Sequence, residues 1–99
     1  MPQVIEARFY NSQTQEVLCD VVTLANTHKE SIDIAWNAFS HGEGEVKEII
    51  KIEGPIFIGA PACWRFEYRC IVSDDDCDRE CLAVLFATYP QEYPNTPAS

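Results

Sequence analysis

Only seven of the 99 residues are Lys or Arg, against sixteen Asp or Glu, and the formal net charge is −9. That shortage of cations argues against a surface that tracks nucleic-acid phosphates, which rests on Lys and Arg neutralising them. Arg65 and Arg69 share a predicted strand face, but Glu67 stands between them and cancels much of their field. An anionic membrane is repelled for the same reason. No apolar run approaches the roughly 20 residues that a membrane-spanning helix needs. Met1-Pro2-Gln3 leads straight into a strand-like run, with neither a basic start nor an apolar leader segment, so the chain reads as cytoplasmic.

Catalytic furniture is equally scarce. The two histidines, His28 and His41, fall at opposite ends of one predicted helix and cannot share a site; both read as structural. There is no glycine-rich phosphate loop, no G-x-S-x-G and no C-x-x-C pair. Carboxylates in acid–base roles need burial to move their pKa values, and the acids here cluster in the most polar stretch of the chain. The expectation is a protein that is not an enzyme and holds no cofactor.

What the chain does have is acid in concentrated form. Ser73-Asp74-Asp75-Asp76-Cys77-Asp78-Arg79-Glu80 packs five carboxylates and one Arg into eight residues. Like charges that close repel, so the run needs solvent, a cation or a basic partner. Calcium is the most specific of these readings, and it fails on spacing. A helix-loop-helix calcium loop needs Gly at position six and Glu at position twelve. Counted from Asp74, those positions hold Arg79 and Leu85. Zinc fares no better. Cys63, Cys70, Cys77 and Cys81 contain one close pair, Cys77-x₃-Cys81, where structural sites use two. With Cys19 the cysteines number five, and without an export signal they read as reduced thiols. No metal site is predicted. A second acidic concentration, Glu43, Glu45, Glu48 and Glu53, is diluted by Lys47 and Lys51.

A hydrophobic fraction of 46% is that of a folded domain, and 99 residues make one modest core. Val4 to Tyr10 alternates with Ile5, Ala7 and Phe9 on one face, and Glu16 to Leu24 is rich in β-branched residues, so the two read as a hairpin around Asn11-Ser12-Gln13-Thr14. Thr27-His28-Lys29-Glu30 fits a capping box. Ile32, Ala35, Trp36 and Phe39 then fall on one stripe, giving an amphipathic helix over about residues 28–41 that ends at His41-Gly42. Val46 to Glu53 reads as a third strand, which Gly54-Pro55 interrupts before Ile56-Phe57-Ile58; a bulge, a bend or a separate short strand would all fit, and Pro55 places the piece at an edge or a bend.

Trp64, Phe66, Tyr68, Cys70 and Val72 alternate cleanly, and Cys81 to Tyr89 follows as a last strand. If these two pair about the acidic run, Cys70 faces Cys81, Tyr68 faces Ala83, Phe66 faces Leu85 and Trp64 faces Ala87. Large side chains then meet small ones along the pair. The acidic run becomes the hairpin tip. Leu82, Val84 and Phe86 fall on the opposite face beside Arg65, Glu67 and Arg69, a candidate docking or homodimer surface. Residues 90–99 carry three prolines and read as an extended tail beyond a single domain of residues 1–89. The predicted class is α+β: a mainly antiparallel sheet of four or five strands with one helix on one face.

The segment Ala25-Asn26-Thr27-His28-Lys29-Glu30, entering a helix after a β-hairpin, resembles a plan common in small phage and mobile-element proteins. In shortness, acidity and strand-rich layout the chain is similar to anti-CRISPR proteins. The resemblance lies in architecture and charge, so no residue is carried over from it. It implies an inhibitor that binds a basic, nucleic-acid-handling site on a larger complex such as a CRISPR effector, without touching nucleic acid itself. The residues expected to carry that binding are Asp74, Asp75, Asp76, Asp78 and Glu80, joined by Glu43, Glu45 and Glu48. The alternatives are a homodimeric assembly protein using Leu82, Val84 and Phe86, and a small metal-binding domain.

Overall fold

A computed structural model describes residues 2–59, 63–74 and 77–88. Five strands, β1 (Gln3–Asn11), β2 (Val17–Ala25), β3 (Glu45–Gly59), β4 (Cys63–Asp74) and β5 (Cys77–Ala87), form one antiparallel sheet in the order β2-β1-β5-β4-β3. One helix, α1 (His28–Phe39), joins β2 to β3. Those are the two edge strands, so the connection has to cross the sheet. A helix of 12 residues rises about 18 Å, and the four gaps between five strands span about 19 Å. The helix is therefore long enough to roof one face, and the other face is left without a covering layer among the described residues.

Alternation decides what lies under that roof. Ile5, Ala7 and Phe9 of β1, Phe66, Tyr68, Cys70 and Val72 of β4, and Cys81, Ala83, Leu85 and Ala87 of β5 are all buried against Ile32, Ala35 and Trp36 of the helix. The β4–β5 register is the one expected from the large-to-small pairing, with Trp64 opposite Ala87, Phe66 opposite Leu85, Tyr68 opposite Ala83 and Cys70 opposite Cys81. Phe9 and Trp36 meet with ring centroids 5.3 Å apart, and Trp36 and Phe39 at 5.1 Å.

The helix starts as a capping box, slightly shifted. The Glu30 amide donates to Thr27 Oγ1 at 3.0 Å, while the Glu30 carboxylate accepts from the Asn26 amide at 2.6 Å, one residue earlier than the usual partner. It ends at Phe39, two residues short of the predicted span. Ser40 caps it, and His41 and Gly42 both turn left-handed. At two further places the ladders decide the boundary. Of the bulge, bend or separate strand that Gly54-Pro55 allowed, the structure has the bulge: β3 runs through it as a bulged edge strand. And β5 begins at Cys77 rather than Cys81, because β4 supplies ladder partners for Asp78, Arg79 and Glu80 despite their poor strand propensity. Residues 89–99, including the proline-rich tail, lie outside the described residues.

His28 is the position whose role was least legible. It is buried, its Nδ1 is hydrogen-bonded to the Tyr68 hydroxyl, and its ring meets the Phe66 ring edge-on at 4.3 Å. Nearby, Ser31 shares a hydrogen bond of 2.8 Å with Thr23, whose hydroxyl also reaches the Ile5 carbonyl. These contacts fasten the helix start to both β2 and β4.

All five cysteines are free thiols, in environments that differ sharply. Burial pushes Cys70 up to about 12 and Cys19 up to about 11, and raises Cys81, whereas Cys77 is exposed. The thiolate is the reactive form. Under native conditions at pH 8, a thiol reagent is expected to label Cys77 first and to leave Cys70 and Cys81 unmodified until the protein unfolds. Peptide mapping after timed alkylation checks this. Early labelling of Cys70 or Cys81 would show that the β4–β5 seam opens in the native state.

Candidate functional site

The topology collects acid at one end of the sheet. The C-terminus of α1, the start of β3, the end of β4, the start of β5 and the β1–β2 turn all converge there. Glu43 lies in the turn after the helix, its amide donating to the Ser40 carbonyl at 3.2 Å. Glu45 is paired across the sheet with Ser73, and Ser73 with Asp78; Glu48 is paired with Ile71, and Ile71 with Glu80. Residues paired across an antiparallel ladder share a face. Glu45, Glu48, Asp78 and Glu80 therefore fall on the unroofed face, in two adjacent rows. The two acidic stretches of the sequence meet in one place.

The acids are not equivalent. Lys47 reaches Asp78 at 3.3 Å and Arg69 reaches Glu80 at 3.9 Å, so both carry an internal cation. Exposed pairs of this kind are worth about 0–1 kcal/mol and yield readily to a competitor. Glu43, Glu45 and Glu48 form no ion pair among the described residues and are exposed. Arg79 points the other way, onto the roofed face, with its guanidinium 5.5 Å from the Trp36 ring centre. Ser12, in the β1–β2 turn, donates to the Glu80 carbonyl at 3.0 Å and steadies the start of β5. That turn is itself held by Asn11, whose side-chain oxygen accepts from the Gln13 and Thr14 amides at 2.8 and 2.9 Å.

Of the residues expected to bind a partner, Glu45, Glu48, Asp78 and Glu80 are thus brought together on one face, and Glu43 lies in the turn that leads into the same end of the sheet. Asp74 closes the β4–β5 ladder opposite Cys77. Asp75 and Asp76 lie outside the described residues. The roles of Lys47, Arg69 and Ser12 were missed by sequence reasoning. A signal for Lys47 was available in its place among Glu43, Glu45 and Glu48, but its partner depended on strand order. Among the described residues no three His, Cys, Asp or Glu side chains gather closely enough to hold a metal ion.

The stripe Leu82, Val84 and Phe86 does face away from the helix, as expected. It is not a bare apolar surface. Val84 is flanked by Arg8 and Glu67, Leu82 by Tyr10 and Arg69, and Phe86 by Glu6 and Arg65. Arg8 lies 5.4 Å over the Phe86 ring while bonding Glu6 and Asp20 at 3.0 and 3.1 Å, and Val84 is only 2% exposed. Asp20 and burial raise the pKa of Glu6, and Arg8 opposes them. The stripe is covered by a charged lattice.

No helix among the described residues is long and apolar enough to cross a membrane. The chain matches no family model, no curated protein and no solved structure.

Proposed function

We propose that this chain is a non-enzymatic interaction protein, an inhibitor whose acidic end occupies a basic, nucleic-acid-binding site on a larger complex. The observation that carries the reading is the convergence of Glu43, Glu45, Glu48, Asp78 and Glu80, from separate segments of the chain, onto one end of a stiff sheet. A patch of this kind steers a cationic partner and competes with phosphate for it. The resemblance in plan and charge to anti-CRISPR proteins makes a guide-loaded CRISPR effector the natural first target.

The internal cations make the reading sharper than a count of acids. A partner's Lys or Arg must displace Lys47 or Arg69 to use Asp78 or Glu80, but meets Glu43, Glu45 and Glu48 directly. The variant Glu43→Lys/Glu45→Lys/Glu48→Lys is expected to weaken binding on the order of a hundredfold, since close charge pairs across interfaces couple by about 1.5 kcal/mol or more. Asp78→Lys/Glu80→Lys is expected to cost less. The test measures binding of guide-loaded effector complexes, and their occupancy of target DNA, with both variants at two salt concentrations. Binding by wild type that ignores salt and survives both reversals would sink the reading.

A further inference from the structure

The two edges of the sheet are built differently. An exposed edge strand offers a row of unpaired backbone N–H and C=O groups, and proteins guard such rows with Lys, Pro, bulges and inward charges. The β3 edge has all of these. It carries Lys47, Lys51, Glu45, Glu48, Glu53 and Gly54-Pro55, and its register with β4 shifts in four places.

The β2 edge has almost none. Its sequence, VLCDVVTLA, holds no Pro, Gly, Lys or Arg, and its register with β1 shifts once. Its single charge, Asp20, is tied inward to Arg8 at 3.1 Å. No strand lies on its outer side among the described residues. On the unroofed face beside it, Val4, Val22 and Leu24 are 52%, 67% and 65% exposed, and Val4 is paired directly with Leu24. That is an apolar patch against an open ladder, and the group that satisfies an open ladder is another strand.

We propose that two copies of this chain pair through β2, antiparallel about a two-fold axis, into a continuous ten-stranded sheet. Charge selects the second copy as occupant. Residues paired across such an axis must share a face, so the axis passes between one residue and its own mate. With that residue at Val21, Val22 or Thr23, Asp20 falls opposite Val22, Leu24 or Asn26 of the other copy and never opposite its own mate. Like charges directly opposed are what destabilise a cross-strand pair, and here there are none. The acids that give the chain its net charge of −9 are concentrated on β3, on the far ends of β4 and β5, and in the turn before β3. The sheet order places β3 and β4 on the opposite side from β2. The self-repulsion of two acidic chains is thus kept away from the joint. The chain's own proline-rich end fits poorly, because Pro90, Pro94 and Pro97 have no N–H to give a ladder. The inference stands independently of the inhibitor reading.

Light scattering of the eluting full chain tests it. Wild type at a few hundred micromolar is expected at twice its 11.2 kDa mass. Val22→Lys and Leu24→Lys, both at exposed positions, are expected at the monomer mass with an unchanged circular dichroism spectrum. Phe57→Lys, on the guarded edge, should leave the dimer intact. Hydrogen exchange adds a readout at the backbone: the outward amides of β2 should be protected at high concentration and exchange freely at low. A monomeric wild type would overturn the proposal and leave the edge for a strand of some other protein. A dimer that survives both lysine variants and dissociates with Phe57→Lys would overturn it equally.

Discussion

Replacing Trp36 with alanine is expected to remove most of the stability of this fold, about 3–5 kcal/mol out of the 5–15 typical of a domain. Trp36 is fully buried at the centre of the helix's inner stripe. It touches Phe9 on β1 and Phe39 one turn on, and Arg79 of β5 lies over its ring. The turn into β3 closes over it as well. A Cβ built on Gly44 would come within 2.8 Å of Trp36 Cδ1, so the chain passes there only because residue 44 has no side chain. Removing the indole leaves a cavity walled by helix, sheet and turn at once, which cannot collapse without moving all three. Trp36→Phe is expected to cost much less. Its ring still fills most of the space, and the Trp36 indole N–H, buried with no hydrogen-bond partner among the described residues, is a penalty that Phe does not carry. Urea denaturation of the three proteins checks the order. Equal losses for Phe and Ala would mean that filling the cavity with a ring does not hold the core together.

Trp36 is also where the sequence was most readable. Its place in an i, i+3, i+4, i+7 stripe behind a capping box needed only local rules, and the box, the stripe and the left-handed exit appear within two residues of expectation. The β4–β5 register was legible for a related reason. Two strands joined by a short turn have few ways to pair, and only one matches Trp64, Phe66 and Tyr68 with Ala87, Leu85 and Ala83. What was not legible is long-range. Nothing in the residues of β1 says that it pairs with β5, yet that pairing sets the strand order and puts β2 and β3 on opposite edges. The gathering of Glu45 and Glu48 beside Asp78 and Glu80 depends in the same way on β3 pairing with β4, across the β4–β5 hairpin. His28 was hidden by position, since the first residue of a helix is usually exposed. A clue lay at Tyr68, whose hydroxyl sits on a core-facing alternation position and so needed a buried partner. The acidic run read as a loop because its composition disfavours strand, and the ladder with β4 overrode it.

The same tension between local rule and tertiary contact sets the second large effect. Gly54-Pro55 reads equally as a bulge, a bend or the start of a new strand; the strand continues through a bulge, and the reason is steric. Gly54 has φ +117°, a region that residues with a Cβ rarely enter, and a Cβ there would lie 2.8 Å from the Arg65 carbonyl oxygen and 2.9 Å from Phe66 Cα. The β3 backbone bends onto β4 at this point, over a residue that is itself core. Two penalties therefore add in Gly54→Ala: about 1–3 kcal/mol for the unfavourable backbone conformation and about 1–3 for overpacking against an immovable strand. The variant is expected to lose about 3 kcal/mol or more. Gly59 separates the two terms, because its φ is nearly the same, +122°, and nothing lies within 4 Å of its Cβ direction. Gly59→Ala should show the backbone cost alone. If denaturant midpoints place the two variants level, β4 is yielding at Arg65 and Phe66, and the close approach of β3 to β4 is softer than its geometry implies. If Gly54→Ala falls well below Gly59→Ala, that approach is rigid, and the bend that carries β3 past Pro55 is fixed by contact with β4.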